Sequence, residues 1–137
     1  MIVSLASEDD MPEVLALRRE VFVVGQGVPV ELEHDERDVE CDHAVARRDG
    51  VVVGTGRLLP EGVIGRMAVA ESERGAGIGA LVLTFLEQRA RDRGMPSVEL
   101  HAQVHAAGFY DRAGFTPYGD RYLEAGIEHV SMRKELH

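Results

Sequence analysis

The spacing of hydrophobic side chains along the chain predicts a mixed α/β architecture. Apolar residues recur at helical intervals over residues 77–93, and a rougher stripe of the same period begins after Asp9 or Asp10. A short helix is expected at residues 106–113, with two antiparallel strands after it. Strand-like apolar runs make up the rest, at residues 1–6, 43–48, 51–59, 63–69 and 97–104.

Turn-forming residues separate these elements. Asp49-Gly50 joins two of the expected strands as a hairpin, and Gly94 ends the long helix. Residues 25–42 follow neither period and are expected to form an irregular, acidic connection. Because the chain shows no repeat and no interdomain linker, residues 1–137 are expected to form a single domain.

The entrance to the long helix carries glycines on alternate positions, at 75, 77 and 79. Glycine lets the backbone turn sharply and leaves its N–H groups uncovered, and a helix N-terminus attracts anions. A strand, a glycine-rich turn and a helix start therefore indicate a cradle for a phosphate or pyrophosphate. A turn without a ligand is one alternative. A dinucleotide fingerprint is another, although polar residues separate the strand from the first glycine.

Two motifs in the same order resemble a known family. Arg74-x-x-Gly77-x-Gly79 is similar to the coenzyme A pyrophosphate loop of the GNAT family of N-acetyltransferases. The segment from Phe109 to Phe115 resembles the FY-x-x-x-GF segment that closes the acyl-CoA site in that family. Three further stretches resemble the small bacterial ElaA-like branch of the family, at residues 21–29, 33–38 and 126–132.

The resemblance implies an α/β fold with a mixed, mostly antiparallel sheet flanked by helices. It also implies acetyl-CoA as the cosubstrate. The implied coenzyme A contacts come from the strand before the loop, the loop itself and one amide side chain: Met67, Ala68, Val69, Arg74, Gly75, Ala76, Gly77, Ile78, Gly79, Ala80 and Gln103.

Transfer of an acyl group needs a neutral amine, an oxyanion donor and an acid for the leaving thiolate. The resemblance makes Tyr110 the acid, and a backbone N–H at residues 67–69 is the expected oxyanion donor. His101 lies on the same face of its strand as Gln103. Packing roles for Tyr110 and His101 are the alternatives. The base stays open among four candidates, His101, Glu31, Glu33 and a water chain.

Charge narrows the choice of partners. The net charge of −9 argues against nucleic acid and against an anionic membrane surface. An anionic cofactor therefore needs local positive groups, for which Arg74 and Arg66 are candidates. Residues 31–42 hold seven carboxylates in twelve positions. They are expected to attract a cationic acceptor, to form a solvated loop or to bind calcium, although the spacing of an EF-hand is missing.

The single cysteine, Cys41, excludes a disulfide within the chain. No secretory signal pattern is present at the start, so a cytoplasmic location is expected. Cys41 and His43 share a strand face, which fits either a covalent nucleophile or inert packing. The histidines show no metal-binding spacing, so no required metal is expected.

The leading hypothesis is an acyl-CoA-dependent N-acyltransferase. It would move an acetyl group from acetyl-CoA to a small-molecule or peptide amine by direct attack, with a homodimer left open. A non-catalytic acyl-CoA sensor or partner module of the same fold is the first alternative. A nucleotide-dependent oxidoreductase is the second.

Overall fold

This computed structural model describes residues 1–136, which contain seven strands, four α-helices and several short 3-10 or π-helical segments. The helices are α1 (Met11–Arg18), α2 (Val30–Glu33), α3 (Ile78–Asp92) and α4 (Ala107–Arg112). The strands are β1 (Ile2–Leu5), β2 (Asp42–Arg48), β3 (Val51–Leu58), β4 (Val63–Val69), β5 (Ser97–Gln103), β6 (Thr116–Glu124) and β7 (Ile127–Glu135).

The strands form one sheet in the order β1-β2-β3-β4-β5-β7-β6. Neighbouring strands are antiparallel except for β4 and β5, which are parallel. The predicted mixed, mostly antiparallel sheet is therefore confirmed. Within residues 1–136, no helix combines the length and the apolar character that a membrane crossing requires.

The hydrophobic pattern located most of these elements. β4 occupies the predicted residues 63–69, and the predicted helix at 77–93 is α3 with one residue fewer at each end. The expectation that residues 25–42 are irregular throughout is wrong, because they include α2 and a 3-10 helix at Glu36–Glu40. Helices of four and five residues are too short to show a period in the sequence.

The hairpin between β2 and β3 forms where Asp49-Gly50 predicted it. Asp49 has φ +52° and Gly50 has φ +80°, as a two-residue turn with both central residues at positive φ requires. The pairing extends from Arg48–Val51 to Asp42–Leu58.

Two helices cover opposite faces of the sheet. The apolar side of α3, including Ile78, Val82 and Leu86, packs in a core with Ala44 and Ala46 of β2. Helix α1 forms a second core, made with the next turn of chain and the other sheet face: Val14, Leu17, Val21, Val45, Val52 and Ala68. Since successive strand residues point to opposite faces, the sheet is the middle layer of three.

Candidate functional site

Strands β4 and β5 separate partway along the sheet. Within residues 1–136 they pair only at Val63–Glu99 and Ile64–Leu100. Beyond Ile64, the edge of β4 that faces β5 has no partner strand, and we call this opening the gap. An exposed strand edge offers backbone N–H and C=O groups to any extended ligand.

The gap begins at a bulge in β4. Pairing with β3 shifts between Arg57–Gly65 and Thr55–Ala68, so that β4 holds one extra residue there. Arg66 in this bulge has φ +49°, a left-handed conformation that is uncommon outside glycine. A bulge bends its strand and increases the local twist, which accounts for the lost pairing with β5. Gly65, inside a predicted strand, was the available sequence signal for this feature.

The glycine loop opens the start of α3 to solvent. Gly75 and Gly77 have φ +84° and +80°, and Gly77 is the residue that precedes the helix. Among residues 1–136 no side chain caps this helix, and a Cβ at either glycine would meet no atom within 4 Å. The first N–H groups of α3 therefore lie open at the positive end of the helix dipole. Arg74 is exposed beside them, and its Nε donates to the Val69 oxygen at 3.4 Å.

Helix α4 packs against the same helix start. A Cβ at Gly79 would lie 3.4 Å from Cζ of Phe109, at van der Waals contact distance, so the Phe109 ring lies directly over the first turn of α3. Tyr110 follows and packs edge-on against Phe109 and Phe115, with ring centroids 5.0 and 6.0 Å apart. Burial raises the pKa of Tyr110 to about 12. Its hydroxyl makes no hydrogen bond within residues 1–136, so the proton is available to a ligand.

His101 lies on β5 just beyond the last residue paired with β4. Its side chain is exposed, and Nδ1 lies 3.3 Å from Oγ of Ser131. Its ring makes an edge contact with Tyr122, with centroids 6.2 Å apart. Gln103, on the same face, accepts a hydrogen bond from His105 at 2.6 Å and pairs with Gln26. Gln26 was not predicted, since nothing local to it marks a partner so distant along the chain.

The acidic segment at 31–42 folds around buried arginines. Arg18 is 1% exposed and donates from Nε to Glu33 Oε1 at 2.6 Å and from Nη1 to Asp38 Oδ1 at 2.9 Å. The carboxylates of Glu33, Asp35 and Asp38 are therefore paired with arginines, whereas Glu31 and Glu36 stay exposed. What we call the charge cluster has six members in mutual contact, Arg18, Glu33, Asp35, Asp38, Arg57 and Arg66.

Hydrogen bonds keep the two aspartates of the charge cluster ionised. The backbone N–H of Arg37, followed by the side chain of Arg57, lowers the pKa of Asp35 to about 2. Burial alone would raise the pKa of Asp38, but hydrogen bonds from Arg18 and Arg57 outweigh it and the pKa falls. Arg57 reaches Asp38 at 2.8 Å and Asp35 at 2.7 Å. These contacts make the segment a structural element of the site.

Cys41 lies just before β2 rather than on a strand face with His43, yet the two side chains are close together, and Asp38 joins them. The potential ligand atoms of the three residues are within 4.8 Å of one another. Each is already engaged: Cys41 Sγ donates to the Arg37 oxygen at 3.3 Å, and His43 Nε2 donates to the Asp38 oxygen at 2.8 Å. Burial raises the pKa of Cys41 to about 11, which keeps the thiol protonated at neutral pH and disfavours a nucleophilic role.

Known proteins are similar to this chain in sequence and in fold. The model of the acetyltransferase (GNAT) domain matches residues 7–136. The uncharacterized N-acetyltransferase YjcF of Bacillus subtilis is 35% identical over 133 residues, which cover 94% of this chain and 95% of that protein. The crystal structure of Escherichia coli ElaA superposes with a TM-score of 0.88 at 30% identity, covering 98% of this chain and 100% of that one.

A more distant neighbour shows the same fold. The crystal structure of an aminoglycoside 6'-N-acetyltransferase complexed with coenzyme A superposes with a TM-score of 0.79 at 16% identity, covering 98% of this chain and 97% of that one. The dinucleotide interpretation of the glycine loop is wrong, because that fold needs a parallel sheet, and among residues 1–136 only β4 and β5 are parallel. The chain belongs to the GNAT family of acetyltransferases, with ElaA among its relatives, and has that family's coenzyme A-binding fold.

Proposed function

We propose that this protein transfers the acetyl group of acetyl-CoA to a primary amine of a small molecule or a peptide, by direct attack. The observation that carries the proposal is the gap between β4 and β5, next to an uncapped helix start on an open glycine loop. An extended thioester arm fits along a free strand edge, and a pyrophosphate fits at a helix N-terminus.

The proposed coenzyme A contacts follow the chain from β4 into α3. The pyrophosphate rests on the loop from Arg74 to Ala80, held by backbone N–H groups and one guanidinium. The pantetheine arm lies along Met67 to Val69, where the edge of β4 is free. Gln103 supplies an amide at the β5 side of the gap. No metal takes part in this proposal.

The reaction needs three coordinated changes. The neutral amine nitrogen attacks the thioester carbon, and a backbone N–H at residues 67–69 stabilises the oxyanion. Collapse of the intermediate breaks the C–S bond, and the thiolate takes a proton from Tyr110. The proton released by the amine leaves to His101 or to water, and solvent returns a proton to Tyr110. We assign Glu33 no proton transfer, because its carboxylate pairs with buried Arg18.

A screen of amines tests the proposal. Purified protein is mixed with acetyl-CoA and one acceptor at a time, from polyamines and amino acids to peptide N-termini and lysine peptides. Release of the coenzyme A thiol is followed, and the acetylated product is identified by mass spectrometry. Turnover with an acceptor supports the enzyme. Tight binding of acetyl-CoA with no turnover across the panel would instead support the non-catalytic sensor, and failure to bind acetyl-CoA would reject both.

A cytoplasmic setting remains part of the proposal and rests on the single, unpaired Cys41.

A further inference from the structure

Arg66 occupies an unfavourable backbone conformation at the point where β4 leaves β5. Its φ of +49° costs a non-glycine residue about 1 kcal/mol or more. Such a conformation persists only when the surroundings hold it in place. Arg66 is one of the two bulge residues of β4, with Met67, that lie opposite Gly56, so its backbone sets the direction of the strand edge that follows.

Contacts of the Arg66 side chain hold its backbone in this conformation. Its Nη2 donates to the backbone oxygens of Leu32 and Glu33 at 3.4 and 3.3 Å. The guanidinium also lies 3.9 Å from Glu33 Oε1 and 3.9 Å from Asp35 Oδ2. These contacts join the bulge to the last turn of α2, an element 33 residues away in the chain.

The far end of this connection is itself fixed. Glu33 and Asp38 are bound by Arg18, whose side chain is 1% exposed, and Asp35 is bound by Arg57. A bulge tethered to such a network is held more firmly than one tethered to a mobile loop. The three acidic members of the charge cluster thus balance Arg18, Arg57 and Arg66, and the network has no excess negative charge to offer an acceptor.

We propose that Arg66 is a positioning residue, which holds the β4 bulge so that a backbone N–H at residues 67–69 faces the thioester oxygen. The inference rests on the proposed acetyl transfer, because that reaction defines the oxyanion. Arg66 touches neither substrate in this assignment; it acts through the backbone of its own strand. A displacement of about 1 Å at a reacting centre costs on the order of 100-fold in rate, so the tether has a measurable effect.

A pair of substitutions separates backbone positioning from substrate contact. Arg66→Ala removes the tether and keeps the strain of positive φ, so the bulge relaxes. Arg66→Gly also removes the tether, but glycine adopts positive φ at no cost and keeps the bulge. We expect kcat to fall roughly 10- to 100-fold in Arg66→Ala and less than about 5-fold in Arg66→Gly, with the Kd of acetyl-CoA rising by less than kcat falls in Arg66→Ala and staying unchanged in Arg66→Gly.

Asp49 provides the matched control. It also has positive φ, +52°, but it lies in the β2–β3 hairpin. Asp49→Gly should be more stable to heat than Asp49→Ala, as Arg66→Gly should be relative to Arg66→Ala. Both Asp49 variants should keep the parent kcat. This control separates an effect of stability from an effect at the gap.

Amide hydrogen exchange gives a readout without turnover. The amides of Met67, Ala68 and Val69 should exchange faster in Arg66→Ala than in Arg66→Gly or the parent. Equal losses of kcat in both Arg66 variants, with a raised acceptor KM, would show that the guanidinium binds the acceptor and would overturn the inference. Parent-like kcat and exchange in Arg66→Ala would overturn it as well. Absence of turnover in the parent rejects the proposed function, and the exchange comparison still tests the tether.

Discussion

Gln26 and Gln103 exchange two side-chain hydrogen bonds beside the gap. Gln103 Nε2 donates to Gln26 Oε1 at 2.8 Å, and Gln26 Nε2 donates to Gln103 Oε1 at 3.3 Å. Gln26 belongs to the connection between α1 and α2, whereas Gln103 ends β5 beyond its last residue paired with β4. The pair therefore ties the N-terminal connection to the far strand of the gap and orients the Gln103 amide before any cofactor binds.

Removing each partner tests which role Gln103 has. If its amide contacts the pantetheine arm, Gln103→Ala should weaken acetyl-CoA binding by roughly 2- to 12-fold, the value of one neutral hydrogen bond of about 0.5–1.5 kcal/mol. Gln26→Ala leaves that amide present and should keep the Kd within about twofold. Isothermal titration calorimetry measures both. Parent-like binding in both variants would show that Gln103 only holds the segment between α1 and α2 in place.

The glycine loop gives a second test of cofactor binding. Gly77→Ala places a methyl group among the open N–H groups, so acetyl-CoA should bind at least about tenfold more weakly. Gly94→Ala is the control, because Gly94 also has positive φ, +75°, and open space around its Cβ position. Both variants should lose similar stability in thermal denaturation. A Gly77→Ala protein that binds acetyl-CoA like Gly94→Ala would place the pyrophosphate elsewhere.

The sequence predicted what depends on neighbouring residues and missed what depends on distant ones. Gly77 stands between a strand and a helix whose patterns are both local, so the loop and its anion-binding geometry followed from a few consecutive residues. The ion pair between Arg18 and Glu33 joins residues fifteen positions apart, and neither residue type favours burial by itself. The sequence alone therefore did not predict that arginines distant along the chain bind carboxylates of the acidic segment.

The charge cluster should matter more for stability than for attracting the acceptor. Asp38→Asn weakens the acceptor shared by Arg18 and Arg57, and we expect it to lower the free energy of unfolding by about 2–3 kcal/mol. Glu36→Gln neutralises an exposed carboxylate of the same segment and should change the free energy of unfolding by less than about 0.5 kcal/mol. Urea unfolding measures both. A parent-like Asp38→Asn protein with a raised KM for a cationic acceptor would restore the recruitment hypothesis.

The same cluster gives the stability a defined pH dependence. The pKa values of Asp35 and Asp38 lie below the ordinary 3.8, and that of Asp35 is about 2. The stabilisation from Asp35 is therefore complete above the pKa of 3.8 that this group has in the unfolded chain. It is lost as the pH falls toward the folded-state pKa of about 2. The pKa of Asp38 is lowered as well, so the stability difference between the parent and Asp38→Asn should begin to shrink as the pH falls below 3.8. A difference that stays constant down to pH 2 would contradict the ionised Asp38.

Cys41 should be dispensable for turnover. Its raised pKa of about 11 leaves little thiolate at neutral pH, so iodoacetamide should label it on the order of 100-fold more slowly than an unperturbed cysteine. Cys41→Ala should keep the parent kcat, because direct attack needs no acyl-enzyme. Rapid labelling that abolishes activity, together with a burst of acetyl-enzyme, would favour a covalent route.

The proposed acid, Tyr110, requires a substitution that removes only its proton. Tyr110→Phe deletes the hydroxyl and keeps the ring that packs between Phe109 and Phe115. Tyr118→Phe is the control: it deletes a hydroxyl that donates to Glu99 at 2.6 Å on an exposed part of β6. Both variants should fold and bind acetyl-CoA with the Kd of the parent, as measured by calorimetry.

Only the loss of the Tyr110 hydroxyl should slow the chemical step. The leaving thiolate needs a proton as the C–S bond breaks, so kcat in Tyr110→Phe should fall roughly 10- to 1,000-fold, the range of one general acid. Because burial raises the pKa of Tyr110 to about 12, the group stays protonated and should cause no alkaline loss of kcat below about pH 10. The measurement needs an acceptor whose chemical step limits turnover. Full kcat in Tyr110→Phe under that condition would assign the proton to water and leave Tyr110 as a packing residue.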